Sequence, residues 1–147
     1  MSTQTAGKAT EAIQAVVDSW FESVGACDFD RIMPHYTKDV RGFDAILSLQ
    51  FKGREAYGEH WKKCLESCME GMSFKMLQPE LTGGAGAAFF TCLVECGGRD
   101  KNGKKQSGLL RVTLGLKETP AGWKVAHDHW SAPFDPETGK VLGELRP

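Results

Sequence analysis

The sequence has little excess charge of either sign and no long apolar run, and each shortage excludes classes of protein. Its 18 Lys and Arg residues nearly balance 19 Asp and Glu residues, for a formal net charge of -1. A near-neutral chain has no strong field to attract nucleic acid, so no nucleic-acid partner is expected. No apolar run approaches the roughly 20 residues of a membrane-spanning helix, so no membrane partner is expected either.

Export is not expected, because residues 1–10 are small and polar and lack the apolar segment that an export signal needs. The five cysteines leave at least one without a partner inside the chain. Together these observations favour reduced thiols and a cytoplasmic location. The length fits one domain with a sizeable core. We expect that core over residues 10–131, followed by an extended tail over residues 132–147.

Apolar residues recur at helical spacing in the first half of the chain. Their repeat over residues 10–27 predicts a long first helix. Asp28 is placed to cap a second, short helix, which Pro34 should end. A third helix is predicted from Gly53 to about Ser67. Its apolar face carries Tyr57, His60, Trp61, Cys64, Leu65 and Cys68.

Strand patterns follow. Residues 39–51 mix apolar and polar positions without helical period and predict one or two strands. Beyond them, alternation with period two predicts strands over residues 72–79, 87–96, 107–117 and 123–131. The turn residues between these strands predict antiparallel hairpins. Helices followed by strands indicate an α+β fold, with the helices gathered on one face of a curved antiparallel sheet.

Several short strings resemble the nuclear transport factor two-like superfamily, in particular its ketosteroid isomerase-like and SnoaL-like members. In chain order they are Cys27-Asp28-Phe29-Asp30, Tyr36, Asp39, Phe43-Asp44, Gly53-Arg54-Glu55-Ala56, and Gly122-Trp123 through His127, His129 and Ser131. The resemblance covers nearly the whole chain, from Trp20 to Ser131. It implies a cone-shaped fold in which three helices and the curved sheet enclose a pocket for a small organic ligand.

Part of the chain also resembles the association domain of calcium/calmodulin-dependent protein kinase II. The matching pieces are Gln106-Ser107, Arg111-Val112, Trp123, His127, His129 and Ser131. That domain is an assembly hub and not an enzyme, and this scaffold hosts many functions. Two functions therefore remain open: an isomerase, lyase or hydratase that needs no cofactor, and a non-catalytic module for ligand binding or oligomerisation.

Asp44 is the candidate catalytic base, because the resemblance places it where the isomerase keeps its base. A carboxylate in an apolar pocket can move a proton between carbons. The alternative is a solvated aspartate at a strand end. The isomerase also needs a tyrosine and a protonated aspartic acid to hold its enolate oxygen. Trp20 stands at the tyrosine position and residues 111–113 offer no carboxylic acid, so steroid isomerisation itself is not expected.

Arg111 aligns with a pocket arginine of the hub domain and would hold a carboxylate of the substrate. Its neighbours Leu110 and Val112 form the apolar face of the strand, so a solvated Arg111 is the alternative. His60 is either a polar contact in the pocket or a core histidine. No metal site is expected, because the stripe of His60, Cys64 and Cys68 has no evident complementary ligands.

On the last strand, His127 and His129 share one face while Asp128 and Trp130 share the other. The resemblance favours Asp128 and Trp130 toward the pocket, with the histidines toward a subunit interface. It further implies a homodimer formed through the outer face of the sheet. The predicted substrate-binding residues are Trp20, Tyr36, Phe43, His60, Trp61, Arg111, Asp128 and Trp130.

Overall fold

The computed structural model describes residues 3–68 and 72–147. Its helices are α1 (Thr3–Gly25), α2 (Phe29–Ile32, followed by a 3-10 turn over Met33–His35) and α3 (Arg54–Glu66). The three predicted helices are thus confirmed, with α1 beginning earlier than expected. No helix in the described part of the chain is long and apolar enough to span a membrane.

The short helix α2 begins and ends for the predicted reasons. The Asp28 carboxylate accepts a hydrogen bond from the backbone N–H of Arg31 at 3.2 Å, which satisfies one of the free donors of the first turn. Pro34 lies in the 3-10 turn that closes the element. This turn delivers the chain into the first strand, which ends at the candidate site.

Six strands form one sheet, in the order β2-β1-β6-β5-β4-β3. They are β1 (Tyr36–Phe43), β2 (Phe51–Lys52), β3 (Ser73–Gly83), β4 (Ala87–Arg99), β5 (Lys105–Thr119) and β6 (Gly122–Ser131). The hairpins β3-β4, β4-β5 and β5-β6 are antiparallel, as predicted. The α+β fold class is confirmed.

One strand pair departs from the predicted antiparallel sheet, since β1 runs parallel to β6 and the sheet is therefore mixed. Turn residues determine the orientation of strands that follow each other directly. The strands β1 and β6 are separated in sequence by a helix and four other strands, and such a long connection permits parallel pairing. This pairing brings the end of β1 beside Asp128 and His129.

The stretch over residues 39–51 is a strand only at its two ends. Residues 44–50 form a loop instead, in which Ile46, Leu47 and Leu49 are 51%, 80% and 91% exposed. Leu47 has a φ of 68°, a left-handed conformation that a strand does not accommodate. The prediction of one or two strands in this stretch is therefore confirmed by β1 and β2, and the exposed apolar loop lies between them.

The core lies between the helices and the inner face of the sheet. Helix α1 contributes Ile13, Val17 and Trp20, each at most 1% exposed. Helix α3 packs on β1 at Gly42, where an added Cβ would lie 2.7 Å from the ring of Tyr57. The absence of a side chain at this glycine lets α3 come close to the end of β1. The buried inner-face residues of β4 and β5 are Phe90, Cys92, Val94, Val112, Leu114 and Leu116.

The prediction of reduced thiols is wrong for two cysteines, because Cys27 and Cys68 form a disulfide. Their Cα atoms lie 6.9 Å apart although 41 positions separate them in sequence. An odd cysteine count says that one thiol is unpaired, but only the meeting of the ends of α1 and α3 decides which two can pair. Cys64, Cys92 and Cys96 are free.

The segment predicted as an extended tail turns back on itself. Phe134 pairs with Val141 in an isolated antiparallel bridge, and Gly139 has the positive φ of 72° that this turn uses. The returning chain meets β5, where the Leu109 N–H donates to the Gly143 carbonyl at 2.9 Å. The segment is therefore held against the sheet.

Candidate functional site

A cavity of about 230 Å³ lies between the ends of α1 and α3 and the inner face of the sheet. Among the described residues that line it, Asp44 is the one with a carboxyl group, and none has a basic side chain. Aromatic rings and sulfur atoms form most of the remaining wall. The lining residues are Val24, Cys27, Asp44, Ala45, Ile46, Tyr57, Trp61, Cys64, Leu65, Cys68, Met72, Phe74, Cys96, Leu110 and Trp130.

Asp44 follows the last residue of β1, and its side chain is 17% exposed. Its Oδ1 accepts a hydrogen bond from the backbone N–H of Ala45 at 2.7 Å. Its Oδ2 is in close contact with Nε2 of His60. Two partners therefore hold the carboxylate in one orientation at the edge of the cavity.

His60 lies behind this carboxylate and not in the cavity wall. It is 4% exposed, and its ring stacks on Phe51 with the centroids 4.1 Å apart. The tautomer with the proton on Nε2 can donate to Asp44. His60 is thus a core residue that also contacts the candidate base. The sequence had left open whether it is a core histidine or a polar contact at the pocket.

Cys64 completes a small cluster with these two residues. Its Sγ lies 3.5 Å from His60 Nε2 and 3.9 Å from Asp44 Oδ2. Burial, together with the neighbouring carboxylate, raises the pKa of the Cys64 thiol to about 11. The thiol is therefore protonated at neutral pH and is not a nucleophile in this state.

A second carboxylate, that of Asp128, lies one layer behind the cavity and is fully buried. Its Oδ1 accepts from the Tyr57 hydroxyl at 2.6 Å, and its Oδ2 accepts from the Tyr36 hydroxyl at 2.7 Å. The Tyr36 oxygen in turn accepts from Trp20 Nε1 at 2.9 Å. These four side chains form a continuous chain of hydrogen bonds through the core.

Burial raises the pKa of Asp128 to about 7, although the hydrogen bonds from Tyr57 and Tyr36 oppose the shift. Burial and the nearby Asp128 carboxyl raise the pKa of both tyrosines well above the usual value. The tyrosines are consequently neutral donors over the whole physiological range. Asp128 is the group of this network that titrates near neutral pH.

Two tryptophans and Tyr57, which belongs to this network, lie between Asp128 and the cavity. Trp61 and Trp130 line the cavity, and their buried indole Nε1 atoms make no hydrogen bond of ordinary geometry, although the Trp130 N–H is near enough to Asp128 to lower the pKa of that carboxyl. An unsatisfied buried donor costs about 1–3 kcal/mol. The parity of β6 follows the resemblance, with Asp128 and Trp130 turned inward.

Other predicted site residues lie on the outer face of the sheet. Arg111 is exposed and donates from Nε to Ser131 Oγ at 3.1 Å. Its neighbour Leu110 lines the cavity, so strand alternation turns Arg111 away from it. The Phe43 ring packs edge-on against His127 and His129, also on the outer face.

The predicted site residues therefore separate into three groups. Asp44, Trp61 and Trp130 meet at the cavity; Trp20, Tyr36, His60 and Asp128 lie behind its wall; Phe43 and Arg111 lie on the opposite face. Sequence reasoning missed Tyr57 as a site residue. Tyr57 lies in a buried helical stripe, and a buried tyrosine hydroxyl needs a hydrogen-bond partner, so the sequence could have indicated a polar contact at this position.

Comparisons with known proteins agree with this architecture. A family model described as a SnoaL-like domain matches residues 13–135. An NTF2-like protein of unknown function from Pseudomonas putida is 36% identical, with 100% of this chain and 99% of that chain covered and a TM-score of 0.87. Among curated proteins no match was found.

Two more distant structures share the fold. A ketosteroid isomerase-like protein from Erwinia carotovora is 17% identical, with 82% of this chain and 93% of that chain covered and a TM-score of 0.69. The hub of calcium/calmodulin-dependent protein kinase II from S. rosetta is 20% identical, with 82% and 94% covered and a TM-score of 0.70. At these identities the likeness concerns the fold alone.

Proposed function

We propose that this chain, which belongs to the family of SnoaL-like domains, binds a small apolar molecule in the cavity and transfers a proton on it with Asp44 as the base. One observation carries the proposal. Asp44 is the charged residue in the described wall of an otherwise apolar cavity, and its carboxylate is held there by Ala45 and His60. A fixed carboxylate beside an apolar ligand is suited to general base catalysis.

The size and lining of the cavity limit the ligand. A cavity of about 150 Å³ lined by apolar side chains accommodates benzene, so 230 Å³ suits a molecule of roughly one or two rings. Trp61, Phe74 and Trp130 offer flat apolar surfaces to such rings. A carboxylate on the ligand would be repelled by Asp44, and Arg111 faces away. The proposed substrate is therefore a neutral ketone-like molecule.

In the proposed reaction the Asp44 carboxylate removes a proton from the carbon next to the carbonyl group. The C–H electron pair moves into the enolate, and Asp44 then returns the proton to another carbon in an isomerisation. In a lyase reaction the proton goes to a leaving group instead. The hydrogen bond from Ala45 leaves a second lone pair on Oδ1 available for this proton.

The test needs no knowledge of the natural substrate. Small cyclic ketones and enones are incubated with the protein in D₂O, and deuterium incorporation next to the carbonyl is followed by NMR. The wild type should accelerate exchange, and Asp44→Asn should lose the acceleration. Asp39→Asn is the matched control, because Asp39 is an exposed carboxylate on the same strand. Equal exchange by wild type and Asp44→Asn would reject Asp44 as the base.

Binding without exchange is a separate outcome. Trp61 and Trp130 line the cavity, so their fluorescence should change when a ligand enters. A saturable fluorescence change with no deuterium exchange for any ligand would favour the non-catalytic binding module.

We further propose a homodimer formed through the outer face of the sheet. That face carries a row of paired residues, Leu93, Arg111 and Ser131, and the adjacent Phe89 is 51% exposed. A dimer would cover these side chains. Light scattering at micromolar concentration should give twice the chain mass. A monomer would contradict the proposal, and a larger ring would favour an assembly module.

A further inference from the structure

We propose that Asp44, His60 and Cys64 form a binding site for one Zn²⁺ ion at the edge of the cavity. The candidate ligand atoms of the three residues all lie within 4.8 Å of one another. The proposal goes beyond the proposed function and does not rest on it.

The cluster arises from two elements of the fold. His60 and Cys64 are four residues apart on α3, so their side chains lie one turn apart on the same face. Asp44 comes from the end of β1, which α3 approaches closely because of Gly42. The third ligand is thus supplied by another element, which is why the helical stripe alone did not indicate a site.

The ligand chemistry selects the ion. One carboxylate oxygen, one imidazole nitrogen and one thiolate sulfur match the donors that zinc accepts. Mg²⁺ and Ca²⁺ prefer oxygen ligands alone, and Cu⁺ prefers sulfur. A carboxylate and a thiolate would also neutralise the double charge of Zn²⁺, which favours the ion in an apolar cavity.

The separation of Cys64 and His60 matches that of two ligands of tetrahedral zinc, whereas Asp44 lies closer to His60 than two zinc ligands do and would have to move slightly to admit the ion. Zn–S and Zn–N bonds of about 2.3 and 2.0 Å place the sulfur and nitrogen roughly 3.5 Å apart, and Cys64 Sγ lies 3.5 Å from His60 Nε2. In a triad the imidazole uses one nitrogen for the acid and the other for the nucleophile. Here Asp44 Oδ2 and Cys64 Sγ both approach Nε2.

The surroundings would hold the ligands in place and leave one position open. The hydrogen bond from Ala45 orients Asp44, and stacking on Phe51 orients the His60 ring. Asp44 and Cys64 both line the cavity, so the fourth zinc position faces it. On binding, the Cys64 thiol releases its proton to solvent and the sulfur electron pair forms the bond to zinc.

Zinc and the proposed substrate reaction would use the same carboxylate. An ion bound to Asp44 engages the electron pairs that accept the proton, so zinc should inhibit deuterium exchange. Metal binding is nevertheless measurable in the absence of any substrate. If the protein binds no zinc, it should still accelerate deuterium exchange. If it does not accelerate exchange, zinc binding should still be measurable.

The test uses the full-length, untagged chain after treatment with a chelator. Co²⁺ is added as a spectroscopic probe, and Zn²⁺ is then added to displace it. We expect saturation at one Co²⁺ per chain, with a thiolate-to-cobalt charge-transfer band. Cys64→Ser should lose that band. Mutation of residues that merely hold metal ligands in place weakens metal binding by about 10–100-fold. Asp44→Asn and His60→Gln change the ligands themselves, so each should weaken binding by at least ~100-fold.

Two control variants make the result specific. Cys92→Ser removes another free thiol, which does not line the cavity, and Asp39→Asn removes an exposed carboxylate, so both should bind like the wild type. Circular dichroism establishes that each variant is folded. The proposal is overturned if the wild type shows no saturable binding of one ion per chain. It is also overturned if Cys64→Ser keeps the charge-transfer band.

Discussion

Two carboxylates, those of Asp44 and Asp128, lie on either side of the same cavity wall and differ in what surrounds them. Asp44 is 17% exposed, reaches the cavity and is held by a backbone N–H and an imidazole. Asp128 is fully buried and held by two tyrosine hydroxyls, and burial raises its pKa to about 7. A ligand in the cavity can therefore contact Asp44. Asp128 has no such access, and burial makes its ionisation unfavourable.

We expect the greatest difference between Asp44 and Asp128 in the rate of deuterium exchange. Because a general base contributes about 10²–10⁴-fold to rate, Asp44→Asn should slow ketone deuterium exchange by that factor. Asp128→Asn should retain most of the exchange, since Asp128 does not line the cavity. Exchange rates of both variants measured by NMR check this. A larger loss in Asp128→Asn than in Asp44→Asn would reverse the assignment.

The next effect concerns stability against pH. The pKa of Asp128 is raised from 3.8 in the unfolded chain to about 7 in the folded protein, so the folded state binds the proton more tightly. This stabilising contribution is fully present below about pH 4 and is lost as pH rises through about 7. A shift of about three pKa units corresponds to a loss on the order of 4 kcal/mol.

Urea unfolding of the wild type between pH 4 and pH 8 measures this loss. Asp128→Asn cannot ionise, so its unfolding free energy should change less across the same window. Asp44→Asn should keep most of the slope from Asp128, because the Asp44 charge is the smallest of the causes that shift the pKa of Asp128. Parallel pH profiles for wild type and Asp128→Asn would contradict the role of Asp128.

The smallest expected effect comes from one hydrogen bond between the two regions. Tyr57 lines the cavity and donates to Asp128 at 2.6 Å. Tyr57→Phe removes this donor, which should destabilise the protein by about 1–3 kcal/mol. The pKa of Asp128 should rise further, because the hydrogen bond from Tyr57 lowers it. NMR titration of the Asp128 carboxyl would report a pKa that is unchanged or lower if this account is wrong.

Local patterns made the helices and hairpins predictable. The apolar stripe with Val17 and Trp20 identified α1, and Asp28 identified the start of α2. Parity along β6 correctly separated Asp128 and Trp130 from the two histidines. In each case the signal lies within a few residues, where backbone geometry determines which side chains share a face.

Other features depend on parts of the chain that are distant in sequence. The loop over residues 44–50 separates β1 from β2, and its exposed apolar residues gave no local sign of where these two strands end and begin. Arg111 is a local case in contrast, because the alternation of β5 turns it outward as its apolar neighbours indicated, although it aligned with a pocket residue of a relative. The Cys27–Cys68 disulfide joins the ends of two helices whose meeting no local pattern predicts.

The helices and strands, their order and the α+β class follow from local patterns, because periodicity and capping act over one or two turns of chain. The parallel pairing of β1 with β6 and the packing of α3 against the end of β1 follow from tertiary contacts. Those two packings bring His60 and Cys64 to Asp44 and the tyrosines to Asp128. Both clusters therefore depend on contacts between segments that are distant in sequence. The packing of complete helix and sheet surfaces determines the geometry of such contacts.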